Sequence, residues 1–274
     1  MSLCPALISM HCVAGLILFR DALNDPTDLI ELLTFIAVGA FAQLIDGALG
    51  MAYGVTSAGL LMGLGMPPVA ASASVHYAET FTCGASGISH LMAGNVRRSL
   101  FLALVIPGVL GSLLGVLVAV NVPPQWMRIA LTPYLLGMGL FLLFRRSHRP
   151  GERTDVPRGT SPMALAAGFV DAIGGGGWSA LTVTILIARG LPPRVVIGSV
   201  HLAKCVVSIA ASMSFLLTIG TSHGMAVIGL IIGGVLAAPF GALFIRRIPA
   251  RAATLLAGLA VLALGINNAV RMFG

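Results

Sequence analysis

The chain has 274 residues, 57% of them apolar and only 9% formally charged, against about 25% charged in an average soluble domain. A mean hydropathy of +0.99, with 34 glycines and long uncharged runs, excludes a soluble globular domain, a collagen, a coiled coil and a disordered chain. What remains is an all-α polytopic protein whose solvent is the lipid bilayer. The net charge of +7 is scattered singly or in small groups between apolar runs, so it reads as a topology signal rather than as a nucleic-acid surface.

Taken in chain order, apolar segments fall near 3–19, 29–45, 51–64, 67–93, 99–120, 126–144, 161–173, 178–188, 192–219, 224–245 and 252–270. A spanning helix needs about 20 residues, which 99–120, 224–245 and the segments beginning at Pro67 and Pro192 satisfy. The segments 51–64, 161–173 and 178–188 are too short and meet at glycine clusters, the mark of broken or re-entrant membrane helices. The expected organisation is an N-terminal apolar segment in 1–28, a first membrane repeat in 29–144, an Arg-rich cytoplasmic linker in 145–160 and a second repeat in 161–274. Segment 3–19 has no counterpart later in the chain; it reads as an additional helix, a signal peptide or an over-long start, and the absence of a basic stretch ahead of it weighs against the signal peptide. Cys4, Cys12, Cys83 and Cys205 lie in or beside apolar stretches without a C-x-x-C, so neither a disulfide framework nor a zinc site is expected.

Sliding the chain by 125 positions exposes the repeat. Asp46, Gly50, Gly65, Pro67, Pro68, Ser74, Val75, His76 and Ala78 land on Asp171, Gly175, Gly190, Pro192, Pro193, Ser199, Val200, His201 and Ala203. One further residue of offset places Gly115 on Gly241 and Pro123 on Pro249. Chance likeness between apolar helices would match Leu and Ala, not Asp, His and a Pro-Pro pair. Each repeat holds a Gly-broken short helix pair followed by three spanning helices, and five elements per half invert the second half across the membrane. With the Arg-rich linker inside, alternate crossings put Arg97, Arg98, Arg189, Arg194, Arg246, Arg247 and Arg251 on the same cytoplasmic side, leaving Arg128 and His223 outside.

Asp46, Glu79, Asp171 and Lys204 fall inside apolar segments, where a charge costs at least about 2.5–3.5 kcal/mol and needs a partner, a cavity or neutralisation. In the repeat Asp46 pairs with Asp171, while Glu79 pairs with Lys204, the only lysine. The Pro-Pro pairs start long helices, so His76 with Glu79, and His201 with Lys204, lie near the midplane, each pair on one helical face. Repeat symmetry brings these faces together. Lys204, His76 and His201, with Ser74 and Ser199 as donors, are the candidate anion ligands; Glu79, His76 and His201 are the candidate proton carriers, since imidazole titrates near neutral pH. A structural ion pair between Glu79 and Lys204 is the competing reading.

The breaks Asp46-Gly-Ala-Leu-Gly50 and Asp171-Ala-Ile-Gly-Gly-Gly-Gly177 precede short helices whose first N–H groups carry partial positive charge. Gly50, Gly175, Gly176 and Gly177 would let an anion approach that backbone. Asp46 and Asp171 are expected to cap the helix starts. The pairs Gly59/Gly63, Gly111/Gly115 and Gly229/Gly233 are close-packing devices.

These elements, Gly-x-Pro-Pro followed by a small-Ser-aliphatic tripeptide and repeated in order, resemble the TauE/SafE family of sulfite exporters and related anion permeases. The residues that carry the resemblance are Gly65-Met-Pro-Pro68 with Ala73-Ser-Val75, Gly190-Leu-Pro-Pro193 with Gly198-Ser-Val200, and Gly94-Asn95-Val96. It covers about residues 30–272. The family more typically carries Gly-Thr-Ser at the tripeptides; here each is followed by a histidine. The resemblance implies a small oxyanion or organosulfonate as substrate.

The function expected is therefore a secondary transporter of a small anion across the plasma membrane, working by alternating access and coupled to protons or membrane potential, with no cofactor and no metal. A homodimer is one assembly the sequence allows. Two alternatives are an intramembrane aspartyl hydrolase using Asp46 and Asp171, and a divalent-cation permease, against which Lys204 argues.

Overall fold

The computed structural model describes residues 26–49, 51–144, 153–220, 223–244 and 250–273. Segment 3–19, Gly50, Arg145, Arg146, Arg149, Arg246 and Arg247 lie outside the described residues. Every described element is helical: α1 (Pro26–Leu49), α2 (Tyr53–Gly63), α3 (Pro68–Met92), α4 (Arg98–Asn121), α5 (Pro124–Phe144), α6 (Thr160–Gly174), α7 (Trp178–Ala188), α8 (Pro193–Ile219), α9 (Gly224–Phe244) and α10 (Ala250–Phe273).

The duplicated punctuation produces duplicated local structure. Gly65 (φ +100°) ends α2 and Gly190 (φ +90°) ends α7. In each case the next residue reaches back five positions, Met66 N–H to the Leu61 carbonyl and Leu191 N–H to the Leu186 carbonyl, the bond pattern of a glycine-closed helix C-terminus. Pro68 and Pro193 then open α3 and α8 at the first helical position, where the missing N–H costs nothing.

Segments Thr27–Asp46, Arg98–Asn121, Pro124–Phe144 and Pro193–Ile219 are long and apolar enough to cross a membrane. Helix α3 has 25 residues but carries His76, Glu79 and several hydroxyls, so its composition reads as less apolar than its length warrants. The two broken pairs are unequal. Helix α1 has 24 residues because it begins at Pro26, ahead of the acidic turn at Asp28, whereas α6 has 15. Helices α2 and α7 have 11 residues each, about 16 Å at 1.5 Å per residue, or half the hydrocarbon thickness.

Packing obeys the repeat. Helix α1 packs on α9 as α6 packs on α4; α3 pairs with α8, and α5 with α10. Small residues permit these approaches. A Cβ at Gly111 would sit 2.0 Å from the Leu165 carbonyl oxygen, one at Gly233 would sit 2.1 Å from the Ile36 carbonyl oxygen, and one at Gly59 would meet Leu264 at 2.8 Å. Trp178 fills the space over Gly108, and Tyr53 lies over Gly234 in the other half. Both aromatic residues are buried and tied down, Trp178 Nε1 to the Val200 carbonyl at 3.3 Å and Tyr53 Oη to the Leu230 carbonyl at 3.2 Å.

The two helix breaks meet at the centre. Gly54 lies against Gly175 and Gly176, and a Cβ at Gly176 would stand 2.0 Å from Val55 N. The glycine run thus allows one backbone to cross another. Gly177 takes φ +125°, and its repeat equivalent Ala52 takes φ +98°, the only positive φ outside glycine among the described residues.

Candidate functional site

Each break is closed by its own aspartate. Asp46 Oδ1 accepts the Tyr53 N–H at 3.2 Å, and Asp171 Oδ1 accepts the Trp178 N–H at 3.0 Å. The carboxylates therefore sit at the positive ends of the two short helices.

From that shared arrangement the halves diverge. Lys204 Nζ lies 2.8 Å from Glu79 Oε2 and in contact with Asp171 Oδ2. His76 Nε2 is 3.2 Å from the same Asp171 oxygen. Its Nδ1 is 2.8 Å from the Ser72 carbonyl, and Ser72 Oγ donates to the Ala172 carbonyl at 2.6 Å. His76, Glu79, Asp171 and Lys204 are all buried.

His76 is held at both ring nitrogens: Nδ1 faces the Ser72 carbonyl, which can only accept, and Nε2 converges with Lys204 Nζ on Asp171 Oδ2. Lys204 thus has a carboxylate on either side, which is how these charges persist away from water.

Glu79 Oε1 lies over the α2 backbone, 2.8 Å from where a Cβ on Gly54 would be. Beside it a cavity of about 10 Å³ is lined by Asp46, Glu79, Cys83, Asp171, His201 and Lys204, among others. That is room for about one water molecule. Ligand atoms of His76, Glu79 and Asp171 come within 4.8 Å of one another, a spacing that suits a cation. The Lys204 ammonium already bridges the two carboxylates there.

Of the remaining residues singled out in the sequence, His201 lines the cavity, its Nδ1 2.8 Å from Ser86 Oγ. The two histidines thus have different partners, His76 on Asp171 and His201 on Ser86. Gly177 borders the cavity, while Gly175 and Gly176 are taken up by the backbone crossing. Ser199 Oγ accepts the Arg97 N–H at 3.0 Å, at the start of α4. Ser74 is buried on α3, outside the cavity lining.

Three partners escaped sequence reasoning. Ser72 stands four residues before His76, and Ser86 four before His90, spacings that share a helical face. Tyr134, whose hydroxyl donates to the Gly176 carbonyl, carries no repeat signal and is found only by tertiary packing.

Paired charges and broken helices in the middle of a polytopic helical domain define a class, the membrane transporters. The chain belongs to the sulfite exporter TauE/SafE family, whose model matches residues 35–268. It is similar to the probable membrane transporter protein YtnM of Bacillus subtilis (strain 168), with 40% identity over 226 residues, 79% of this chain and 75% of that protein. No solved structure matches the chain significantly.

Proposed function

We propose that this transporter moves a small anion, sulfite or a related oxyanion or organosulfonate, across the plasma membrane by alternating access between two inverted repeats, coupled to protons. The observation that carries the reading is Lys204 held between Glu79 and Asp171, at the crossing of the two helix breaks. The cluster is closed, with space for about one water. An anion can join it only if a negative charge is removed, because a third anion beside two carboxylates is repelled. Protonation of Glu79 does this: it releases the Lys204 ammonium toward the substrate. Proton and anion then travel in the same direction.

Inversion is supported by the five elements per repeat and by the swapped pairing of α1 with α9 and α6 with α4. It gives the two helix breaks access to opposite faces. The Arg-rich stretch at 145–158 marks the cytoplasmic side.

The test is sulfite flux in proteoliposomes with and without an imposed pH gradient, with Lys204→Ala as control. Flux that is lost in Lys204→Ala and accelerated by the gradient is the expected result. Flux that persists unchanged in Lys204→Ala would remove the ammonium from the site. No wild-type flux with sulfite, organosulfonates or other oxyanions would overturn the substrate class.

A further inference from the structure

The repeat is broken at one contact beside each central histidine. Under the offset that pairs His76 with His201, His90 falls on Phe215. The structure preserves the pairing: His201 meets His90 edge to face, with ring centroids 6.0 Å apart, and His76 meets Phe215 with centroids 5.9 Å apart. The same place in the fold therefore holds a titratable ring in one half and a fully buried phenyl ring in the other.

His90 is half-buried in the last turn of α3. Its Nδ1 accepts from the Asn95 side-chain amide at 3.3 Å, which leaves the proton on Nε2. The exposed turn Met92–Gly94 and the cations Arg97 and Arg98 follow directly. This is the end of α3 that meets water. Inward from His90 come His201, with Ser86 on its Nδ1, then the cavity shared with Asp46, Glu79, Asp171 and Lys204. An edge-to-face contact at this distance is closed for proton transfer by a small ring rotation or by one bridging water.

We propose that His90 and His201 form a one-sided proton relay, joining the central carboxylates to the aqueous face at the α3–α4 turn, while Phe215 seals His76 on the opposite side. The proposal rests on the proton coupling proposed above and adds its route and its sidedness. The charged and titratable groups facing the relay are Asp46 from α1, Cys83 and Glu79 from α3, Asp171 from α6 and Lys204 from α8 itself. His90 is not among the residues that line the cavity with them. Removing His90 therefore removes the outer proton station while leaving Lys204, the ammonium proposed above to take the anion, between its two carboxylates.

The experiment follows sulfite uptake and internal pH together in proteoliposomes. Wild type is compared with His90→Phe, which copies the sealed half, and with His90→Gln, which keeps a hydrogen-bonding side chain that cannot carry the proton. The expected result is a fall of about tenfold or more in sulfite-linked proton movement in both variants, as for loss of a proton-transfer group. Sulfite exchange between equal concentrations, which needs no net proton movement, stays within about twofold of wild type, within the scatter of ordinary substitutions away from a binding site. Wild-type proton movement in both variants would overturn the relay and leave the coupling reading standing. Exchange and proton movement falling together would make His90 a structural residue. Sulfite uptake without proton movement in wild type would overturn the coupling reading and the relay with it.

Discussion

Lys204 Nζ stands 2.8 Å from Glu79 Oε2, and these two residues occupy equivalent positions in the repeat. A duplicated scaffold that kept the same residue at both positions would face two carboxylates or two ammonium groups across its centre. The opposite charges let the two long helices α3 and α8 close on each other, and they leave Asp171 free to engage both Lys204 and His76.

Replacing Lys204 by Ala strands two buried carboxylates, and breaking a buried pair in this way costs about 3–5 kcal/mol. The expected outcome is a lower unfolding temperature in detergent together with lost sulfite flux. Thermal unfolding followed by tryptophan fluorescence checks the first, since Trp178 is fully buried, and vesicle uptake checks the second.

Glu79→Gln keeps the size of the side chain and an oxygen that can accept from Lys204, but cannot exchange a proton. Sulfite binding and exchange should persist, while the acceleration by an imposed pH gradient disappears. Initial uptake rates measured with and without the gradient decide this; a variant that still responds to the gradient would take Glu79 out of the coupling.

Ala52 and Gly177 provide a matched pair of backbone tests. A positive φ costs a non-glycine residue about 1–2 kcal/mol, so Ala52→Gly should stabilise the protein by about 1 kcal/mol. Gly177→Ala should do the opposite and more strongly, because it adds the same backbone strain and sets a Cβ 2.2 Å from the Tyr134 hydroxyl. Melting temperatures of the two variants should move in opposite directions.

Ser72→Ala removes the hydroxyl that bonds the Ala172 carbonyl and leaves that acceptor buried, at a cost of about 1–3 kcal/mol. The expected outcome is a lower melting temperature in detergent. The hydroxyl is restored by Ser72→Thr, which should recover the melting temperature of the wild type.

By itself the sequence determined the class, the helices and the repeat. Local and compositional physics is enough for that: apolar length reports the bilayer, Gly65 and Gly190 end helices through positive φ, and Pro68 and Pro193 begin them. It also singled out Glu79 and Lys204, because charges are conspicuous where solvation is absent. What only the tertiary structure decided is which groups meet. Hydrogen bonds and ion pairs act over about 3 Å, a scale set by how α3, α6 and α8 cross and by the glycines that let them. Thus Asp171 turned out to hold its helix start, Lys204 and His76 at once, Ser199 went to the start of α4, and His201 found His90 where its counterpart found Phe215.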